Sequence, residues 1–299
     1  MRVASNTVSD AIVRQIDQLS TQQATLQTQI STGQRISEPE DDPAAVASVL
    51  NLESQLRQVQ QYGQNATQAL TVSQASYAGL QSIKSISDRA GELATLGTGT
   101  LGSDAMSAYG TETDQLIEQA VQAANTSFGG NYLYGGTAVS TPPFTVTRDP
   151  TTNEITGVTY AGNQSQAAIP LSSSTSISPT TDGTTNSGLA DFVNHLVALR
   201  DALNSGDTTA VSNVQPGLST SEDVIVSAIA TTGGVQTRIE AAQTQQTSES
   251  TNLNSVISSQ VNADLPTTIV KLNQAQTAYQ AALQSAVNVM QLSILNYLK

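Results

Sequence analysis

The chain has 299 residues and a formal net charge of −13, with 11 basic side chains against 24 acidic ones, no Cys, no Trp and one His. Zero Cys excludes disulfide scaffolds, zinc ribbons, iron–sulfur clusters and thiol nucleophiles, and a single His excludes multi-histidine metal sites. The acidic excess argues against a nucleic-acid binder, which needs a basic surface to displace counterions.

Only 12% of residues are charged, about half the usual share of roughly 25%. Hydrophobics are 38%, enough for helix seams but thin for a thick globular core, so long helices burying narrow stripes are expected. The first helical pattern runs from about Val8 to Ile30. Ile12, Leu19 and Leu26 repeat every seven residues, and Ile16, Gln23 and Ile30 form the companion series, an a/d seam with one polar position. Gly33 ends it. Pro39 and Pro43 interrupt the next ten residues, where Glu38, Glu40, Asp41 and Asp42 crowd together, and Asp42 with Pro43 reads as a helix start.

A second long pattern follows from about Ala44 to Leu96. Val49, Leu56, Leu70 and Tyr77 form one series, and Leu52, Val59, Ala66, Ser73 and Leu80 the other. A third helix runs from Ser103 to about Asn125. Five of the nine prolines then fall between Gly129 and Gly188. Phe144 to Arg148 and Glu154 to Ala161 read as strands around a turn, Ala167 to Leu171 as a short third, and Ser172 to Ser187 as a polar loop. Helix returns at Leu189 to Leu203 and again, after Pro216 and Gly217, from Leu218 to Val261. Asp264 and Pro266 open the last helix. There Leu265, Leu272, Tyr279 and Ala286 form one seven-residue series, and Ile269, Gln276, Leu283, Met290 and Tyr297 the other.

The pattern is symmetric about the proline-rich segment. The fold class expected is mainly α: an elongated bundle of long antiparallel helices, with paired N- and C-terminal coiled-coil helices and a small β-rich inserted domain. The expected divisions are residues 1–33 (terminal helix), 34–43 (Pro-containing spoke), 44–135 and 189–263 (the two parts of the bundle), 136–188 (insert) and 264–299 (terminal helix).

Two distant motifs carry a resemblance. Leu26-Gln-Thr-Gln-Ile30-Ser-Thr-Gly33-Gln-Arg35-Ile36 with Pro39-Glu-Asp41-Asp42-Pro43 resembles the N-terminal flagellin-type signature. Ala275-Gln-Thr-Ala-Tyr279-Gln-Ala-Ala-Leu283 through Val289-Met-Gln-Leu292-Ser-Ile-Leu295 resembles the family's C-terminal helix. The likeness, to the flagellin family of axial proteins of the bacterial flagellum, covers about residues 1–135 and 218–299. Pro39 and Pro43 around the acidic pair, and Gly129-Gly-Asn-Tyr132-Leu-Tyr134-Gly-Gly136 after the third helix, are similar to the branch at the hook–filament junction. Val3-Ala-Ser-Asn-Thr departs from that branch's usual opening, and filament flagellin is the alternative.

The resemblance implies a secreted, extracellular structural subunit exported unfolded through the flagellar type III apparatus, with a chaperone at its C-terminal helix. It implies copies packed in a ring-like layer between a neighbouring hook-associated junction protein and flagellin. The residues expected to carry assembly are Ile12, Ile16, Leu19, Leu26 and Ile30, with Arg35, Asp41 and Asp42 at the spoke. On the last helix they are Leu272, Tyr279, Leu283, Met290, Leu292 and Leu295. Gln23 and Gln276 are either register-setting seam residues or exposed ones. The terminal helices either form an ordinary intramolecular coiled coil or order only among neighbouring copies.

No catalytic, cofactor or metal site is expected. Asp41 and Asp42 have no nearby His, His195 sits among Phe192, Leu196 and Leu199 on a helix, and the Gly129–Gly136 stretch lacks the Lys-Ser/Thr of a phosphate loop. No segment reaches the roughly 20 apolar residues of a membrane span, so no membrane insertion is expected. Met1 to Asp10 has no apolar run of the Sec type. An adhesin-type binding module is the rival from another class, although Phe144 and Tyr160 are the only aromatics its insert offers to a sugar.

Overall fold

The computed structural model describes the backbone of residues 2–99 and 102–297 and the side chains of residues 10–99 and 102–289. These form two compact units. One is built from the two ends of the chain, up to Gln58 and from Glu249, and the other from Val59–Ser248. The fold is mainly α, with six helices and three small antiparallel hairpins among the described residues.

In the unit of the chain ends, α1 (Arg2–Thr32) stops where Gly33 takes a φ of +73° and returns its N–H to the Gln29 carbonyl at 2.9 Å. The N-terminal part of α2 (Pro43–Gly97) starts beyond a short connection. The end of α5 (Thr208–Val261) leads into α6 (Leu265–Tyr297), which packs along α1.

The second unit holds the main core. The rest of α2 contributes two buried heptad series, Ala66, Ser73, Leu80, Ser87 and Ala94 and, beside it, Ala69, Ser76, Ile83, Ala90 and Gly97. The first continues the series read from the sequence. The second is not the expected one: Val49, Leu56, Leu70 and Tyr77 are only half-buried. Small side chains occupy the true seam because they let neighbouring helices approach closely, so apolar size is a poor guide to burial here.

Helix α3 (Ser103–Ala124) leads to β1 (Ser127–Phe128) and β2 (Asn131–Tyr132). Their turn residues Gly129 and Gly130 have φ of 58° and 84°, the two-residue hairpin geometry that glycine adopts freely. Strands β3 (Phe144–Arg148) and β4 (Ile155–Tyr160) pair as expected. Their register shifts between Thr147 and Arg148, which leaves Thr156 as an extra residue on β4. That bulge resets the two-residue alternation, so Ile155 and Val158, three apart, both point into the core.

Two asparagines close the outer edges of this ribbon. Asn125, at the end of α3, accepts the Phe144 N–H at 3.0 Å and donates to its carbonyl at 2.9 Å. Asn194 does the same for Val158, at 2.8 and 3.0 Å. Each side-chain amide imitates a paired strand and satisfies backbone groups that an open edge would leave exposed.

The expected third strand is β5 (Ile169–Pro170), and its partner β6 (Ser176–Ile177) lies inside the segment read as a polar loop. Leu171 and Ile177 pack with Ala66, Ala69 and Ile239 in a second small core, and Gln246 donates to the Leu171 carbonyl at 2.7 Å. Helix α4 (Gly183–Ser205) begins six residues before the expected Leu189. Asp182 caps it, accepting the Thr185 N–H at 2.7 Å, and buried Asn186 anchors a first turn of low intrinsic propensity.

Helix α5 begins at Thr208, capped by Asp207, and carries Pro216 inside it rather than starting after Gly217. Proline removes the amide that would bond the Ser212 carbonyl. Ser212 is exposed to solvent, and buried Val211 and Leu218 hold the flanking turns to the core.

Candidate functional site: the paired terminal helices and their clip

On α1, the side chains turned toward α6 repeat at alternating steps of four and three: Ile12, Ile16, Leu19, Gln23, Leu26 and Ile30. Leu26 is buried and the others are half-buried. On α6 the matching positions are Thr268, Leu272, Ala275, Tyr279, Ala282, Ala286 and Val289, with Thr268 and Ala275 buried. Gln23 lies in the seam and donates to the Ala275 carbonyl at 3.0 Å, which ties the register of one helix to the backbone of the other.

The second series read on α6 falls one residue beyond the contact positions, along the edge of the seam rather than in it. Gln276 is exposed, as are Ile269 (47%), Leu283 (41%), Val270 (55%) and Val287 (52%). A single partner helix covers one stripe of α6, in which Leu272 and Tyr279 alternate with the smaller Thr268, Ala275, Ala282 and Ala286. Met290, Leu292 and Leu295 lie outside the described side chains.

The two Pro-containing breaks of the chain meet. Arg35 N–H donates to the Val261 carbonyl at 2.7 Å and Ala263 N–H to the Gly33 carbonyl at 2.9 Å, so Gln34 and Asn262 form an antiparallel bridge between the connection after α1 and the one before α6. The Arg35 guanidinium spans the same junction, donating to the Gln260 carbonyl at 3.0 Å and to the Asp42 carboxylate at 3.1 Å. Gln29 donates to the Arg35 carbonyl at 2.9 Å.

The acidic run divides by role. Asp41 accepts the N–H groups of Ser37 and Glu38 at 2.8 and 3.0 Å, folding the turn onto itself. Asp42 caps α2 through the Ala45 N–H at 3.0 Å while pairing with Arg35. Backbone N–H donors, first that of Glu38 and then that of Ser37, hold the Asp41 carboxyl below the usual carboxylate range. The Ala45 N–H, followed by Arg35, does so for Asp42. Glu38 and Glu40 remain exposed.

Of the residues singled out from sequence, the structure therefore brings Arg35, Asp41 and Asp42 into one clip and sets Ile12, Ile16, Leu19, Leu26, Ile30, Leu272 and Tyr279 along one seam. It leaves Leu283 exposed beside that seam. Gln29 and the Gln260 carbonyl were missed. No local pattern marks them: the Gln260 carbonyl is reached across 225 residues of chain, and Gln29 reaches the Arg35 carbonyl only because the chain turns back after Gly33.

Chemistry is sparse. Among the described residues no group of three or more His, Asp or Glu side chains is placed to hold a metal ion, and no helix is long and apolar enough to cross a membrane. His195 is half-buried with its Nδ1 2.9 Å from the Ser221 hydroxyl. Tyr134, in the glycine-rich stretch, is fully buried and donates to the Ser76 carbonyl at 2.7 Å.

Residues 3–138 match the family model of the bacterial flagellin N-terminal helical region. The likeness to flagellin lies in this N-terminal part of the chain. The matched residues take in nearly all of α1, the N-terminal half of the clip with Arg35, Asp41 and Asp42, all of α2 and α3, and the first hairpin. Flagellar hook-associated protein 3 of Escherichia coli K12 is 30% identical over 120 residues, which is 39% of this chain and 37% of that protein. The protein of the same name from Salmonella typhimurium LT2 is 26% identical over 148 residues, 48% of this chain and 46% of that protein. The chain thus aligns with less than half the length of either relative.

The chain also shares its fold with two solved structures. The crystal structure of Bacillus cereus FlgL superposes with a TM-score of 0.60 at 20% identity, covering 70% of this chain and 99% of that one. The flagellar junction protein FlgL of Legionella pneumophila superposes with a TM-score of 0.55 at 10% identity, covering 73% and 100%.

Proposed function

We propose that the chain is a structural subunit of the bacterial flagellum, joining the hook side to the filament as hook-associated protein 3 does, and that it assembles through the helices at its two ends. The observation that carries this reading is the exposed side of α6. Its apolar side chains Ile269, Val270, Leu283 and Val287 stand exposed, outside the stripe that packs on α1. An amphipathic helix with a second apolar stripe needs a second partner, and copies of the chain in a ring-like layer supply it. The neighbouring layers would be a hook-associated junction protein and flagellin, outside the cell, with an export chaperone covering α6 beforehand. Residues 34–43 would act as the spoke between the terminal helices and the bundle. Structural work of this kind calls for no catalytic group.

The test is genetic. Loss of the chain should leave hooks intact while flagellin escapes into the medium, and the full chain should restore filaments. Variants Ile269→Asp and Leu283→Asp change exposed positions, so they should alter monomer stability by under about 0.5 kcal/mol and yet fail to restore filaments. Pro39→Ala with Pro43→Ala should likewise disturb assembly more than folding. Continued filament growth without the chain would mark a minor flagellin instead. Full function of both aspartate variants would remove α6 from the assembly.

A further inference from the structure

The larger unit contains five basic side chains, and four are paired with carboxylates: Lys84 with Glu222 and Asp88, Arg89 with Glu112, Arg148 with Glu118, and Arg200 with Asp114. The fifth, Arg238, makes no ion pair or side-chain hydrogen bond among the described residues, although the chain holds more than two acids for every base. It stands at the rim of a cleft of about 470 Å³ between α5 and the segment that joins β6 to α4. A cleft of that size takes a mono- or disaccharide-sized molecule.

The lining is rich in uncommitted hydroxyls. On α5, Ser227, Thr231 and Arg238 follow one another along a single helix face, at steps of four and seven residues. Across the cleft stand Ser176, Ser178 and Thr180, and none of these five hydroxyls is engaged within the described residues. Ile177 and Val235 give the floor an aliphatic patch. The single carboxylate in the lining, Asp182, is engaged on the Thr185 N–H as the cap of α4.

We propose that this cleft binds a sugar bearing a carboxylate, with Arg238 holding the carboxylate and the Ser and Thr side chains exchanging hydrogen bonds with the sugar hydroxyls. A guanidinium fork matches a carboxylate bidentately. Rotatable hydroxyls donate and accept, as vicinal sugar hydroxyls require. Without an aromatic platform the site selects by charge and hydrogen bonding rather than by stacking. The site belongs to the inserted segment and α5, so it is separate from the assembly helices and stands or falls independently of them.

The experiment titrates the full-length chain with D-glucuronate and with D-glucose as probes, followed by isothermal calorimetry and by NMR of the threonine methyl groups. Glucuronate should bind at millimolar concentration, shift the Thr231 methyl resonance and weaken as salt is added, while glucose binds at least about tenfold more weakly. Arg238→Gln is an exposed change and should leave the melting curve unaltered while removing the preference for glucuronate. Thr231→Val should weaken glucuronate severalfold and keep the salt dependence. Equal binding of the two sugars, unchanged binding by Arg238→Gln, or no binding of either would overturn the proposal. So would capture of an acidic peptide in place of the sugar.

Discussion

Replacing Gly79 by alanine tests how the larger unit is packed. Gly79 is buried on α2, and an ideal Cβ built there would stand 2.4 Å from the Tyr134 hydroxyl but 3.4 Å from Cζ, an ordinary contact. Tyr134 has no exposed surface, and its hydroxyl donates to the Ser76 carbonyl at 2.7 Å. Overpacking at such a site costs about 1–3 kcal/mol, and displacing the hydroxyl adds about 1 kcal/mol for the lost bond. The gain in helix propensity returns about 1 kcal/mol. Gly79→Ala should therefore destabilise the unit by about 2 kcal/mol. Tyr134→Phe alone should cost about 1 kcal/mol, and it removes the one atom that clashes. The double variant should accordingly be close to the parent in stability, a coupling of about 2–3 kcal/mol between the two sites. Native-state hydrogen exchange of α2 amides in rising urea reads this directly, because it reports opening of that helix rather than of the whole chain. If the two changes add to within about 0.5 kcal/mol, or if Gly79→Ala is as stable as the parent, the packing argument is wrong.

Tyr134 also predicts an alkaline limit. Burial raises its phenol above the ordinary value of 10.0, so its contribution is complete below pH 10 and declines as pH rises further. Tyr134→Phe should flatten that part of a urea-midpoint-against-pH curve, leaving the smaller slope from Tyr160, which burial raises in the same direction. Asn194→Ala should cost about 2 kcal/mol by freeing both backbone groups of Val158, and Asn194→Asp should be worse than Ala, because a carboxylate then faces the Val158 carbonyl. At the clip, Asp42→Ala should speed exchange of the Ala45 and Val46 amides by about fivefold, while Asp42→Asn keeps the cap and changes them little. Because the carboxyls of Asp41 and Asp42 lie below their ordinary value of 3.8, the clip's contribution is complete above that pH and fades as pH falls below it. Exchange at Ser37, Glu38 and Ala45 should accelerate on that side only.

The sequence by itself determined the helices, most of their ends and the seam face of α1. The seven-residue spacing of Ile12, Leu19 and Leu26, the Gly33 stop and the Asp42–Pro43 start depend on backbone geometry within one or two turns, and nothing distant can easily override them. It also showed that the acidic turn after Gly33 is special. What it could not show is which stripe of a two-striped helix meets a partner. On α6 the series with Leu272, Tyr279 and Ala286 packs on α1 as read, but its companion is Thr268, Ala275, Ala282 and Val289 rather than the bulkier Ile269 and Leu283 one residue on, because helix approach is set by side-chain size as much as by hydrophobicity. The same cause moved the second seam of α2 onto Ala69, Ser76 and Ala90. The early starts of α4 and α5 were decided by capping acids and by a core that overrides weak local propensity, glycine and proline included. The Asn125 and Asn194 clasps and the Gly33–Ala263 clip were invisible because each joins segments that only the folded chain brings together. The tertiary structure decided partnership, while local sequence decided what was available to be partnered.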